Sequence, residues 1–491
     1  MTHVAAGAAP SAAPEHRDSA DPLPTVARRA SRLEHAWWGA IVTGLGALNG
    51  ARPLSDNSFL THLATGRLIR AGHTPHTDPY TFTAAGRPWV VQSWLASWWY
   101  ATLEALGGGA AIRLFVVALS GLLAWMVWRL SAPAELLVGR LVITAGALIV
   151  GLFWWNERPQ LIGMVALAAA AIVVTERRSP AWLLPLFGVW VNVHGSFPIG
   201  LAFLGAWAGL TTVLARRIDG RGALGVAAAI GGTVMGAVVS PFGFDLITFP
   251  VEMLKRSATL IFITEWRPLA LDSLASIVFL AVSVGVAAAI AQRRSWPRLA
   301  VIGLFLGLAL WAVRNVVPAS IVLVPVAAPA LAGMGALRVG APVAWRRMLP
   351  AAAAVVAALT ALVAVTDDYE VSAYPVAMAD RIEATPRLRQ GRVLSYDYVG
   401  NFLEWRSGAG RRVWLDDRAE VVPRAVVVDY VRLLSGIGKP GVILDRQPHD
   451  LVLWNAKGEV ADYLRRSDEY TVVAQDREWI LVERVGSLPP A

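Results

Sequence analysis

The chain alternates long apolar runs with short polar hinges, and the hinges are of two kinds. Arginines cluster at every second hinge, while acids, histidines and tryptophans gather at the others. Apolar runs of this length predict membrane-crossing helices. They fall at Trp37–Leu54, Ala111–Leu130, Leu136–Trp155, Leu161–Thr175, Trp182–Val193, Pro198–Ala215, Leu224–Ser240, Leu271–Ala291, Leu299–Val313, Val316–Leu337 and Leu349–Val365. That is about eleven helices. The pair around His194 is the shortest, and its first member also fits a re-entrant or tilted segment.

Loops rich in Lys and Arg stay on the cytoplasmic side of a membrane. Arg28, Arg29 and Arg32 precede the first run. Arg129 and Arg140, Arg177 and Arg178, Arg216 and Arg217, Arg293 and Arg294, and Arg346 and Arg347 then fall on that same side without inverting any span. The expected architecture is a polytopic α-helical membrane protein with its amino terminus cytoplasmic. Residues 1–33, polar and without the early apolar core of a cleavable signal peptide, are expected to form a disordered cytoplasmic tail. Residues 34–366 form the transmembrane domain. Within it, 52–109 make a large first external loop with an interfacial amphipathic helix over Gln92–Leu106.

After Val365 the hydropathy collapses, and 367–491 read as a small α/β domain, placed outside by an odd number of spans. Strand-like runs at Gly391–Ser395, Arg412–Leu415, Asp450–Trp454, Tyr470–Ala474 and Glu478–Glu483 alternate with helical stretches at Arg424–Leu434 and Lys457–Arg466.

Composition agrees with this class: 56% hydrophobic and 16% charged residues are far from soluble averages, and the mean hydropathy is +0.51. The formal charge of +9 comes largely from arginines at helix ends, so it reports topology and not nucleic-acid binding. With no cysteine, disulfides, thiolate metal sites and cysteine nucleophiles are excluded.

The chemistry-bearing residues sit at the non-arginine hinges. Asp56 follows the first span, where it either caps the helix through Leu60 and His62 or serves as a proton acceptor. His62, with His73, His76 and Asp78, offers nitrogen and oxygen ligands to a divalent metal; Asp78 in Thr-Asp-Pro-Tyr also suits a turn. Glu157-Arg158, Asn192-Val193-His194 and Glu265-Trp266-Arg267, with Arg314, fall on the same face. Arg158, Arg267 and Arg314 suit a lipid-linked phosphate. Alternatively, Glu157 with Arg158 and Glu265 with Arg267 merely staple loops. Most of the 21 tryptophans are expected to anchor helix ends at the membrane interface.

An acid after the first span, a long loop with interfacial helices, many spans and a soluble carboxy-terminal domain resemble the GT-C superfamily. The resemblance is carried by Asp56 with His62 and Gly66, Pro75 to Pro79, Gly86-Arg87-Pro88-Trp89, Trp94-Leu95 and Arg158-Pro159-Gln160. It continues through Asn192 to Gly195, Pro241-Phe242-Gly243, Glu265 to Pro268, Arg314-Asn315, Gly400 to Trp405 and Asp416-Asp417-Arg418. It implies an inverting glycosyltransferase that moves a sugar from a polyprenyl-phosphate donor to a glycan, lipid or protein acceptor. Asp56 would be the general base. Glu157, Arg158, His194, Arg267 and Arg314 would bind substrate, and His62 and Asp78 would hold a divalent metal ion. Where many such enzymes carry an acidic pair, this chain has Asp56-Asn57. The other expectation is therefore a non-catalytic GT-C-like assembly or glycan-binding component.

Overall fold

The computed structural model describes residues 25–256, 264–332, 345–410 and 412–489. Of the disordered tail expected over residues 1–33, residues 1–24 lie outside these, and 25–33 are instead the first turns of a helix that runs from Thr25 to Gly50. The end of the apolar run at Leu337 and the side chains of Arg28, Arg29 and Arg346 also lie outside the described residues.

Thirteen helices come before the soluble part among the described residues. They are α1 (Thr25–Gly50), α2 (Asn57–Arg70), α3 (Trp94–Leu130), α4 (Leu137–Trp154), α5 (Pro159–Thr175), α6 (Leu183–Val193) and α7 (Phe197–Ala215). After them come α8 (Gly220–Val238), α9 (Asp245–Lys255), α10 (Leu274–Gln292), α11 (Trp296–Trp311), α12 (Val316–Ala327) and α13 (Trp345–Val365). Seven segments, containing α3, α4, α7, α8, α10, α12 and α13, are long and apolar enough to cross a membrane. The chain is thus a multi-pass helical membrane protein. Three more apolar helices, in α5, α6 and α11, are shorter, and α1 is not among the seven. Among the described residues, helices of spanning length therefore number fewer than the expected eleven or so.

Helix α3 is two helices joined at a kink. Gly107 and Gly108 leave helical geometry, and Gly108 adopts φ +65°, a conformation that side chains rarely tolerate. The kink divides the stretch expected as an amphipathic helix, Gln92–Leu106, from the apolar run expected from Ala111. Just past the kink, a Cβ at Gly109 would stand 2.5 Å from the Cβ of Asp368, so only glycine lets the start of the soluble part pass so close.

Arg113 holds that junction. Buried in α3, it donates to the carbonyls of Ala51 at 2.7 Å and Val363 at 3.0 Å, and to Thr366 Oγ1 at 2.6 Å. Carbonyls at the ends of α1 and α13 lack helical partners, and one guanidinium satisfies both sets.

The hinges separate as their composition predicts. Arg129 pairs with Glu176, Arg221 reaches the carbonyl of Arg178, and Gly139 packs against Leu331, all at one end of the bundle. The acid- and histidine-bearing hinges meet at the other end, under the soluble part.

That part carries α14 (Val376–Ala384), α15 (Asp397–Ser407), α16 (Arg424–Leu434), α17 (Pro440–Asp445) and α18 (Glu459–Arg466). Its sheet runs β1-β2-β4-β3, with β1 (Val393–Leu394), β2 (Leu451–Asn455), β3 (Tyr470–Gln475) and β4 (Trp479–Arg484). Strands β1 and β2 are parallel and the rest antiparallel. The expected strand at Arg412–Leu415 is only a bridge, because Val413 is shared between Val393 and Thr81 of the first loop. That sharing extends the sheet edge into the loop and fixes the domain over the hinges.

Candidate functional site

Two cavities lie where the hinges meet the soluble domain. The larger, about 650 Å³, is lined by α2, the Trp89–Ser93 stretch, the start of α5, His194, α9, Glu265 to Arg267, Arg314 and the domain segments around Asp397 and Leu415 to Leu434. The smaller, about 280 Å³, lies against Asp56, Phe153, Trp154, Asn156 and Ser273. Arg158, Gln160 and Glu265 line both.

Arg158 stands at the centre because α5 begins with Pro159, which leaves the preceding residue extended and turned out of the helix. Its Nε donates to Asp56 Oδ2 at 2.6 Å, and its Nη1 pairs with Glu265. Asp56 is the N-cap of α2: Oδ1 accepts the N–H of Phe59 at 3.2 Å, and Oδ2 also accepts Asn156 Nδ2 at 3.1 Å. Capping and ion pairing thus use both oxygens. Burial, more than any other influence, still raises the Asp56 carboxyl above its ordinary range, against the pull of Arg158. Glu265 sits below its ordinary range, because Arg158 and Arg314 together outweigh the opposing effect of burial.

Glu157 does not pair with Arg158. Its Oε1 accepts the backbone N–H groups of Ser55 and Asp56, each at 2.6 Å, and so fixes the turn into α2. Burial and then Asp56 raise its carboxyl. The sequence-based pairing of Glu157 with Arg158 is replaced by Arg158 with Asp56 and Glu265, because Glu157 turns toward the unpaired amides ahead of α2.

His62 and His194 both line the larger cavity. His62 Nδ1 meets Ser97 Oγ at 3.0 Å, and burial pushes its pKa down to about 4. His194 Nδ1 accepts the N–H of Ser196 at 3.2 Å and lies 2.9 Å from its hydroxyl. An acceptor Nδ1 leaves the proton of the neutral ring on Nε2. Burial, then Arg314, pushes His194 down to about 3. Arg314 stacks over Trp266, 4.4 Å from the ring centre, and no carboxylate is within ion-pair distance of it among the described residues.

Asp78 is not a cavity residue. Its Oδ2 accepts the N–H and hydroxyl of Thr81 at 2.9 and 2.6 Å, and its Oδ1 bonds Arg418, so the turn reading of Asp78 fits and the metal one does not. His62 and Asp78 are therefore not brought together as ligands. No group of three or more His, Asp or Glu side chains is arranged to hold a metal ion among the described residues.

The soluble domain supplies further groups, without a role in the reading of the sequence. Arg418 is buried between the rings of Trp89 and Tyr80, at 4.2 and 5.0 Å. It bonds Asp416 and Asp78, while its Nη1 has no hydrogen-bond partner. Asp417 Oδ2 accepts Asn57 Nδ2 at 3.1 Å and pairs with the Ser58 hydroxyl. Burial chiefly, aided by Asp416, pushes the Asp417 carboxyl up to about 7. Glu404 bonds Thr61 at 2.7 Å and is held far above its usual range by burial and by Asp416.

The structure therefore gathers His62, Arg158, His194, Arg267 and Arg314 in one cavity, with Asp56 one ion pair behind Arg158 and Glu157 buried beneath the turn. No family model matches the chain, and no curated protein matches it.

Proposed function

We propose that the chain is an integral-membrane glycosyltransferase of GT-C-like architecture with about eleven membrane helices. In this reading it takes a sugar from a polyprenyl-phosphate donor and passes it to a glycan, lipid or protein acceptor at the extracytoplasmic face of a bacterial cell membrane. One observation carries it. A single cavity at the end of an apolar helix bundle sets Arg158, Arg267 and Arg314 opposite the carboxylates of a soluble domain. Guanidinium groups at a membrane surface suit a lipid-borne phosphate, and a carboxylate facing them suits the removal of a hydroxyl proton. Arg314, stacked but without an ion pair among the described residues, is the best placed for an anion. His194 Nε2–H adds a neutral donor.

The test is transfer itself. The full chain in liposomes is given the polyprenyl-phosphate sugar pool of cell membranes, labelled from a radioactive nucleotide sugar. Lipid-linked saccharides of a deletion strain are profiled in parallel. Label moving into an acceptor, and donor accumulating in the deletion strain, support turnover. Absence of both sinks it. The second reading, a non-catalytic glycan-binding or assembly component, is favoured by Asp56, whose oxygens are taken up by a helix cap and by Arg158.

A further inference from the structure

The walls of the larger cavity differ in charge. On the helix wall Arg158, Arg267 and Arg314 face one carboxylate lining this cavity, Glu265, with Asp56 behind it. On the domain wall Arg418 is accompanied by Asp397, Asp416, Asp417 and Glu420, with Asp78 behind it. Arg418 is already matched by Asp78 and Asp416, so the domain wall does not recruit an anion. An anionic donor head group belongs on the helix wall. A neutral, hydroxyl-bearing molecule belongs on the domain wall, where Arg418 Nη1 is a buried donor without a partner. A buried donor without a partner is costly, and a ligand oxygen removes that penalty.

Between these walls two carboxylates compete for the role of proton acceptor. Asp56 has both oxygens engaged and borders only the smaller cavity. Asp417 borders the larger one and uses a single oxygen, Oδ2, for both Asn57 and Ser58; no hydrogen bond reaches Oδ1 among the described residues. Its two contacts come from the first turn of α2, so they hold the carboxylate in place without neutralising it.

Building on the transferase reading, we propose that Asp417, and not Asp56, is the carboxylate that takes the acceptor's proton. The acceptor oxygen forms its bond to the anomeric carbon as the bond from that carbon to the phosphate oxygen breaks. The electron pair leaves on the polyprenyl phosphate, and the hydroxyl proton passes to Asp417 Oδ1. Asp56 is a positioning residue that orients Arg158 toward the phosphate. A base near pH 7 is suited to this step, and burial sets Asp417 there. The charged and titratable groups around it are Asp416 and Arg418 of its own loop, His62 of α2, Arg158 before α5 and Asp397 of α15.

The experiment compares wild type, Asp417→Asn, Asp417→Glu and Asp56→Asn as full chains in liposomes. Three measurements are made: transfer from the labelled sugar pool, binding of undecaprenyl phosphate, and the pH profile of the rate. Asp417→Asn is expected to lose about 10²–10⁴-fold in rate while binding undecaprenyl phosphate as wild type does. Asp417→Glu is expected to keep part of the rate, and the acid limb of the wild-type profile to vanish in Asp417→Asn. An infrared carboxyl band titrating near pH 7 in wild type and missing from Asp417→Asn reports the group even where transfer is slow. Equal transfer by Asp417→Asn and wild type overturns the assignment and leaves the transferase reading standing. No transfer by folded wild type overturns both.

Discussion

The guanidinium of Arg418 donates to Asp78 Oδ1 at 2.5 Å across 340 residues of sequence, and this bond closes the first loop onto the soluble domain. Both partners are buried, and Asp416 completes the cluster. Breaking one member of a buried ion pair strands a charge, which typically costs about 3–5 kcal/mol. Asp78→Ala is therefore expected to lower the unfolding midpoint of the detergent-purified chain sharply. It should also expose the loop 52–109 to limited proteolysis. An unchanged midpoint would show that the loop is held elsewhere.

Arg113 makes a second structural prediction, independent of the site. Arg113→Met keeps most of the volume but leaves the carbonyls of Ala51, Val363 and Thr366 without their shared donor. With a penalty of about 1–3 kcal/mol for each buried unpaired group, several kilocalories are at stake. Loss of folded yield, measured by size-exclusion chromatography, is the expected result. Near-normal yield would mean that water replaces the guanidinium.

Much of this arrangement is legible in the sequence, for a definite reason. Asp56, His62, Glu157, Arg158, His194 and Arg314 stand out because ionisable groups at the ends of apolar helices are costly unless they are used. The kink at Gly107-Gly108 is marked by the change from an amphipathic to an apolar stretch, and helix α16 has the bounds that its pattern predicts. Asp417 and Arg418 are not legible in this way. They belong to a soluble domain where acids and arginines are ordinary, and only folding brings Asp417 beside Ser58, 359 residues away in sequence. The Asp416-Asp417-Arg418 run after a strand-like segment was the available signal. The partners of Glu157 were equally hidden, because an adjacent Arg158 suggests an ion pair that the chain direction at Pro159 prevents.

The pH dependence of stability separates two kinds of buried group by sign. His194 titrates near 3 and His62 near 4 in the folded chain, against an ordinary value of 6.5. Between these values the unfolded chain binds the proton and the folded chain does not, so each histidine makes stability rise with pH, by at most about 1.4 kcal/mol per unit. Asp417 is shifted the other way, from 3.8 up to about 7, so the folded chain holds its proton longer and stability falls as pH rises through that window. Unfolding midpoints between pH 4.5 and 7.5 are compared with wild type. The difference for His194→Asn should slope in one direction and that for Asp417→Asn in the other. Parallel slopes would contradict the assigned shifts.

The arginine hinges predict the membrane orientation. Arg129, Arg178 and Arg221 meet at one end of the bundle and the cavities lie at the other. The positive-inside rule then predicts the soluble domain on the extracytoplasmic side. A fusion after Ser487 is expected to be active as a periplasmic alkaline phosphatase and dark as a cytoplasmic fluorescent protein. The reverse pattern would place the site in the cytoplasm and remove the polyprenyl-linked donor from consideration.

Arg314 and Asp56 provide the final contrast, between holding phosphate and moving a proton. Arg314→Gln removes a cation with no described ion pair, and a charge-assisted hydrogen bond is worth about 1.5–3 kcal/mol, so undecaprenyl phosphate binding should weaken about 10–100-fold. Arg314→Lys restores the charge but not the planar stacking on Trp266, and should recover only part of the affinity. Asp56→Asn keeps an oxygen for the Phe59 amide but weakens the hold on Arg158 Nε. If Asp56 positions Arg158, that variant raises the donor concentration needed for half-maximal rate and leaves the acid limb of the pH profile in place. A normal half-saturation with a rate reduced by about 10²–10⁴-fold would instead make Asp56 the proton acceptor and Asp417 its neighbour.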